Sequence, residues 1–541
     1  MVNVSDYWQK FPDGSPDRWK VDGNEEKWDV VMPNGAALTL RTDAPTVDFT
    51  STFAKDSDST RLWTNSLRYL LPILEKGDTS TVESILKAFT EYLQSAFQDF
   101  GGSFSGSLDH QCALQLRTLC DIRSWLSIDG HGSIGTIDVE DLSGLVASIY
   151  RVVAGYGLLR PNNHGVMLGI SMLHSFELFP DVEWKEGKKS VNKFLVGTLK
   201  QVLGTDGVAN ENTPVYQAFY LRLLEDIMAF KEWAGGGAER DFESLYELAL
   251  SAYCHMLLPN KAVPPLGDAS LSSQSRYSPK HGFWSSEENG LQIASSHDTF
   301  FSFVCGFRGV FHKQIDDTSV YLWHNGNALI QDGGLTSYDR NDKVAVSLRG
   351  QLGHSGLFFT EYDDVPAEKV VAFGPGKRLI DAKMSVKSVE AWDRFQVAGT
   401  TQFRSTQTHR TITWNGDRRF LIRDVVEGSP AAHDAVSRFL LDTKATIEIG
   451  SVGEVVVRSG SSWMSIYCGA PGANVRISRG HGGEGSLPRG FIAPRNYQKA
   501  PTSLLEFPIA VDDNFSGKQV LYIAFGKVDD GIEPWIPGAK G

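Results

Sequence analysis

Cysteine is scarce in this sequence: five residues in 541 (Cys112, Cys120, Cys254, Cys305 and Cys468), scattered without the spacing of a metal site. An odd, sparse set excludes a disulfide framework and reads as buried free thiols. Basic residues are outnumbered, 52 Lys and Arg against 65 Asp and Glu, for a formal net charge of −13. That balance argues against nucleic acid as a partner, yet leaves room for a local basic cleft that takes an acidic polymer. No apolar run approaches a membrane span, and residues 1–20 lack the apolar core of a signal peptide. The expectation is a chain with no membrane partner, cytoplasmic unless a leader has been removed, and then secreted or periplasmic. Short repeats are absent too, which excludes the common solenoids. Oligomeric state is not legible.

What is present is a globular composition, 41% hydrophobic and 11% aromatic, in a chain too long for one core. Residues 1–59 are mixed, with Trp8, Trp19 and Trp28, and read as a lead-in or cap. From 60 to 258 apolar stripes recur at helical spacing. Breaks such as Gly101-Gly102-Ser103 and Gly235-Gly236-Gly237 separate about eight helices. Short loops make these antiparallel hairpins, and a curved array or toroid is expected. Residues 259–286 are rich in proline and serine and read as a linker. Beyond it the period switches to two. Runs at 299–307, 319–331, 386–402, 411–426, 452–468, 503–511 and 519–525 read as strands. Asn325-Gly326 and Asn415-Gly416 mark hairpin turns. The predicted fold class is multidomain α+β: an (α/α) toroid of helical hairpins followed by a large antiparallel β-sandwich over 287–541.

Chemistry-bearing residues cluster in three stretches. Arg160-Pro161-Asn162-Asn163-His164-Gly165 lies between two amphipathic runs. Pro161 places it in a loop at a helix start, where amide, imidazole and free backbone N–H groups suit an anion. The plainer reading is an Asn cap with a surface histidine beside it. The second stretch runs from Asp206-Gly207 through Glu211-Asn212-Thr213-Pro214-Val215-Tyr216, with Tyr220 one turn on. A core tyrosine and a helix-start acid are its plain alternatives. The third contains His312-Lys313-Gln314-Ile315-Asp316-Asp317, then Asp332-Gly333-Gly334 with Tyr338, then Gly353-His354-Ser355. Here a solvated loop histidine and ordinary turn chemistry are the alternatives.

Together these stretches resemble the heparinase II/III-like polysaccharide lyases, a family that includes alginate lyases. Thr408-His409-Arg410-Thr411 through Asp424-Val425-Val426 adds to the likeness, which spreads over about 60–430. The resemblance implies a lyase that cleaves a uronate-containing polysaccharide by β-elimination. It also implies a zinc ion in some relatives, held by the second His of a His-x-His pair, an Asp at a strand end and a later His. Here the pair reads His312-Lys313-Gln314, and His354 is followed by Ser355 where relatives carry Asn. Asp332 and His354 remain as metal candidates, but Gln314 is a poor zinc ligand, so no cofactor is expected.

Elimination removes the proton at C5 of a uronate, so donors must take up the charge growing on its carboxylate. Asn163 fits that role, with His164 and Arg160 beside it. A base near C5 and an acid near the leaving O4 are also needed. Tyr216 serves as acid, and as base too if a cation holds its phenolate. His312 serves as base or neutralises the substrate. Glu211, Tyr220 and Tyr338 are candidate substrate-binding residues. Two other classes compete. A glycoside hydrolase would use paired carboxylates, such as Glu211 with Asp316 or Asp317, on an acidic glycan. A non-catalytic glycan-binding protein would use the 13 tryptophans as platforms.

Overall fold

Apolar stripes become helices where a cap is at hand. Asp138 accepts from the backbone of Glu140 (2.8 Å) and Asp141 (3.1 Å), and Asp141 reaches back to Asp138. This capping box opens the helix Val139–Tyr156, which ends on Gly157 in the left-handed region (φ 58°). The computed structural model describes all residues except 1–3, 12–18, 25, 34, 44–46, 48, 50–57, 99–107, 129–130, 186, 238, 271–273, 371–379, 451–452, 470–474, 483–485, 496–497, 532–534 and 536–541. The expected break at 101–103 lies outside the described residues.

The chain divides into two units: Met1–Val202 with Arg222–Tyr246, and Leu203–Leu221 with Glu247–Gly541. After a short helix, Tyr7–Lys10, the first unit has a three-stranded antiparallel meander, Lys20–Gly23, Lys27–Val31 and Ala37–Arg41. Its long helices are α1 (Thr79–Gln98), α2 (Leu108–Leu126), α3 (Val139–Tyr156), α4 (Asn163–Leu178) and α5 (Lys188–Leu203). Two more, α6 (Pro214–Trp233) and α7 (Arg240–Met256), each give one half to either unit. Helix α2 packs on α3 and α4 and buries charge in pairs. Arg68 meets Asp121 at 2.6 Å, and Arg117 meets Asp226 at 3.0 Å. Among the described residues no helix is long and apolar enough to cross a membrane. All five thiols are free and buried.

The second unit is built on a five-stranded antiparallel sheet in chain order: β1 (Gly282–Ser286), β2 (Leu291–Ser295), β3 (Thr299–Val304), β4 (Ser319–His324) and β5 (Asn327–Ile330). One face meets an eight-stranded sheet running from Ile380–Ala391 to Thr446–Ile449. There Phe301, Phe303, Val320 and Leu322 pack with Val397, Ile412, Trp414, Phe420 and Ile523. The other face is also covered: Ile293, Phe300, Tyr321 and Trp323 pack under Val208, Ala252, Met256, Leu258 and Leu266. This double burial explains why every residue of β4 is buried. Arg410 faces Asp424 across neighbouring strands and grips it with two 2.8 Å hydrogen bonds, both side chains fully buried.

Details depart from the sequence reading. The run 386–402 is a hairpin, Ile380–Ala391 and Arg394–Phe403, turning at Trp392-Asp393. Part of the expected linker is interior: residues 262–270 are buried, and strand β1 forms within 259–286.

Candidate active site

In the second unit, loop geometry gathers five side chains from four segments. The segment 206–213 is bolted from both ends. Gln217 accepts from Ala209 N (2.7 Å) and donates to the carbonyls of Gly207 (2.7 Å) and Ala249 (3.0 Å). Asn212, left-handed at φ 58°, donates to the carbonyls of Gly309 and Phe311, each at 2.9 Å. A Cβ at Gly309 would lie 2.1 Å from Asn210 O, so only glycine lets the two loops meet. The bond to Phe311 fixes the backbone next to His312, itself left-handed at φ 55°.

His312 sits among carboxylates and phenols. Its Nδ1 is 2.8 Å from Asp268 Oδ2, and its Nε2 is 3.3 Å from Glu211 Oε2. The ring stacks on Tyr216 at 3.9 Å, 26° between planes, and meets Tyr338 edge-on at 5.9 Å. The Tyr338 hydroxyl is 3.3 Å from His312 Nδ1. Asp268 has no exposed side-chain surface and also accepts from Gln314 Nε2 at 2.7 Å. Tyr220 is fully buried and donates its hydroxyl to Glu211. Burial pushes the Tyr216 phenol up to about 12; a hydrogen bond with Tyr338 opposes this, while Glu211 and Asp268 reinforce it. Tyr216 therefore keeps its proton at neutral pH.

The expected metal position looks different. His354 Nδ1 is 2.9 Å from Asp332 Oδ2, and both side chains are buried. Burial alone would lower the His354 pKa, but the charge of Asp332 outweighs it and raises it. Gln314 Oε1 and His354 Nε2 are buried without a hydrogen-bond partner among the described residues. Zinc wants three or four imidazole, thiolate or carboxylate donors. Asp332 and His354 are engaged with each other, and Gln314 holds Asp268, so this donor set does not fit zinc. Among the described residues, the three metal-type side chains with donor atoms within 4.8 Å of one another are Glu361, His433 and Asp434, all exposed. Glu361 there already accepts from the backbone N–H groups of His433 (2.6 Å) and Asp434 (2.8 Å), a loop clamp.

In the first unit, Asn162 and not Asn163 caps α4, accepting from Gly165 N at 2.8 Å. A Cβ at Gly165 would lie 1.8 Å from Arg160 O, which explains the glycine. Asn163 accepts from His164 N at 3.0 Å. His164 Nδ1 lies 3.1 Å from Asp109 Oδ1, and its ring stacks on His110 at 4.8 Å. Burial pushes His110 down to about 4, helped by His164 and opposed by Asp109. Arg160 is exposed at the helix entrance.

The candidates thus fall into two groups: Arg160, Asn163 and His164 in one unit, and Glu211, Tyr216, Tyr220, His312 and Tyr338 in the other. Tyr220, expected to bind substrate, is fully buried and supports Glu211 from within. Asp332 and His354 form a sealed pair. Lys313, read as marking a solvated loop, is instead wholly buried and paired with Asp316 and Asp317 (3.1 Å). Those carboxylates raise its pKa against the effect of burial. Sequence reasoning missed Asp268 and Asp109. The first lies in the proline-rich stretch taken as a linker, and its one signal is Gly267-Asp268, where Gly267 is left-handed at φ 62°.

Residues 278–517 match a family model described as heparinase II/III-like, C-terminal. A comparison with curated protein sequences gives no match. Among solved structures, a heparinase III gene product aligns with TM-score 0.62 at 14% identity, over 89% of this chain and 80% of that one. A structure titled heparinase III aligns with TM-score 0.65 at 11% identity, over 88% and 79%. The heparan sulfate lyase HepC from Pedobacter heparinus aligns with TM-score 0.62 at 12% identity, over 89% and 78%. The likeness establishes the fold as an (α/α) toroid followed by an antiparallel β-sandwich. Residues 278–517 are thus similar to the C-terminal part of heparinase II/III-like proteins.

Proposed function

We propose that the protein is a polysaccharide lyase that cleaves a uronate-containing acidic glycan by β-elimination. The observation that carries this reading is His312 between Asp268 and Glu211 with the Tyr216 phenol stacked on it. Asp268 anchors Nδ1–H, which leaves Nε2 as the proton acceptor. His312 removes the C5 proton, the C–H pair becomes the C4–C5 double bond, and the C4–O4 bond breaks. Tyr216, held in its protonated form, gives its proton to the departing O4. The imidazolium so formed finds Glu211 facing Nε2 at 3.3 Å, which steadies it. Solvent then returns a proton to Tyr216 and takes one from His312. The uronate carboxylate also needs donors for its growing charge, the role that the family resemblance gives to Asn163 with His164 and Arg160. Tyr338, 54% exposed, offers a ring face to a sugar. No step needs a metal.

The names of the similar structures support an acidic glycan as substrate. The hydrolase reading loses its second carboxylate, because Asp316 and Asp317 are buried against Lys313. The test is a panel of alginate, heparan-type and hyaluronan polymers, followed by ultraviolet absorbance. An unsaturated uronate absorbs and a hydrolysis product does not. New reducing ends without absorbance would refute the lyase reading.

A further inference from the structure

Three imidazoles that the proposed chemistry does not use gather at one edge of the β1–β5 sheet. His281 immediately precedes β1, and His297 sits in the turn between β2 and β3. The register Gly282↔Ser295 brings the two positions side by side. Their ring centroids are 4.4 Å apart, with 64° between planes. His255, in the last turn of α7, joins the patch because Cys254 O accepts from Lys280 N at 2.8 Å. Its ring stacks on Trp284 at 5.5 Å. The Nδ1 atoms of His255 and His281 are buried and make no hydrogen bond among the described residues. A buried ring nitrogen without a partner calls for a ligand or a water.

The neighbouring charges are accounted for. Lys280 Nζ donates to Ser251 Oγ at 2.9 Å, and Asp298 is shared by Ser296 Oγ (2.8 Å) and Arg418 (3.4 Å). The C-terminal end of α7 adds a partial negative charge beside the patch. Two imidazoles this close, one just before β1 and one in the turn after β2, make a chelate for a borderline metal and not for calcium or magnesium.

We propose that His281 and His297 form a binding site for one imidazole-seeking divalent transition ion, zinc or copper(II), with water completing its coordination. The test is calorimetric titration of the untagged full-length protein with zinc chloride and with copper sulfate. The wild type is expected to take up one equivalent and to melt at a higher temperature when loaded. His281→Ala and His297→Ala should each weaken binding by about tenfold or more and leave turnover unchanged. His433→Ala, at the exposed Glu361 clamp, should bind as the wild type does. If His281→Ala does not fold, His297→Asn at its exposed turn decides the matter alone. No uptake of either ion by the wild type, wild-type affinity in the His297 variants, or loss of binding in His433→Ala instead would each overturn the site.

Discussion

His164 and His312 each set Nδ1 against an aspartate, and the rest of their surroundings differ. His164 lies 3.1 Å from Asp109 at the start of a helix, stacked on a second imidazole. His312 lies 2.8 Å from Asp268 on a left-handed loop residue, with another carboxylate at Nε2 and two phenols against its ring. His354 repeats the motif, 2.9 Å from Asp332, with no exposed surface at all. An Asp–His pair by itself therefore assigns no role. On the proposed roles, the group at the second nitrogen, and access to it, would separate proton transfer from anion binding and from scaffold.

The sharpest way to break this contrast is to remove the proton-transfer groups. Tyr216→Phe and His312→Gln should each lower kcat by roughly a hundredfold or more. Tyr216→Phe keeps the ring, so its melting curve should reflect the loss of little more than one hydrogen bond, about 1 kcal/mol. Turnover near that of the wild type in either variant would end the assignment. Asn163→Ala should lower kcat by on the order of a hundredfold on a free uronate, because a donor to the developing charge is lost. A uronate methyl ester is already neutral and should suffer less; equal losses on both substrates would remove Asn163 from carboxylate recognition.

Asp268→Asn and Asp109→Asn sharpen the comparison directly. With the tautomer anchor gone, Asp268→Asn should lower kcat by about 10 to 100-fold and move the pH–rate profile. Asp109→Asn should act mainly on KM. Equal kcat losses would erase the distinction between the two histidines.

Smaller effects concern pH and metal. His110 titrates at about 4 in the folded chain, against an ordinary 6.5. The unfolded chain therefore takes up the proton first. The stability this neutral ring allows is complete above about pH 6.5 and is lost as pH falls from there toward 4. His255, also near 4, acts in the same direction. Melting temperatures from pH 7.5 to 4.5 should fall less steeply in His110→Asn than in the wild type. Chelator should leave kcat unchanged, since no zinc-type donor set stands beside His312; zinc-dependent turnover would refute metal-free chemistry.

The switch from helical to alternating periodicity was legible because helices such as Val139–Tyr156 keep one apolar stripe and strands such as Thr406–Asn415 alternate strictly. The Tyr216 and His312 stretches stood out through the family resemblance, and the two rings stack at 3.9 Å. Asp268 was not, because a buried loop rich in proline has no periodicity and looks like a linker. Strand β1 was hidden for the same reason. The burial of Lys313 was equally invisible: a lysine reads as solvent-facing until Asp316 and Asp317 are known to close on it. Which of Asn162 and Asn163 caps α4 also depended on backbone angles that two adjacent asparagines do not disclose.

The doubly covered β1–β5 sheet bears on how such a protein can change through evolution. The family match begins at residue 278, yet Glu211, Tyr216 and Asp268 precede it, on the segments that shield Ile293, Phe300, Tyr321 and Trp323. A gene fusion joined at that point would part Glu211, Tyr216 and Asp268 from His312 and leave four large apolar side chains bare. Such a chimera would expose an apolar face, so the segments 203–270 and the sheet they cover are expected to be inherited together.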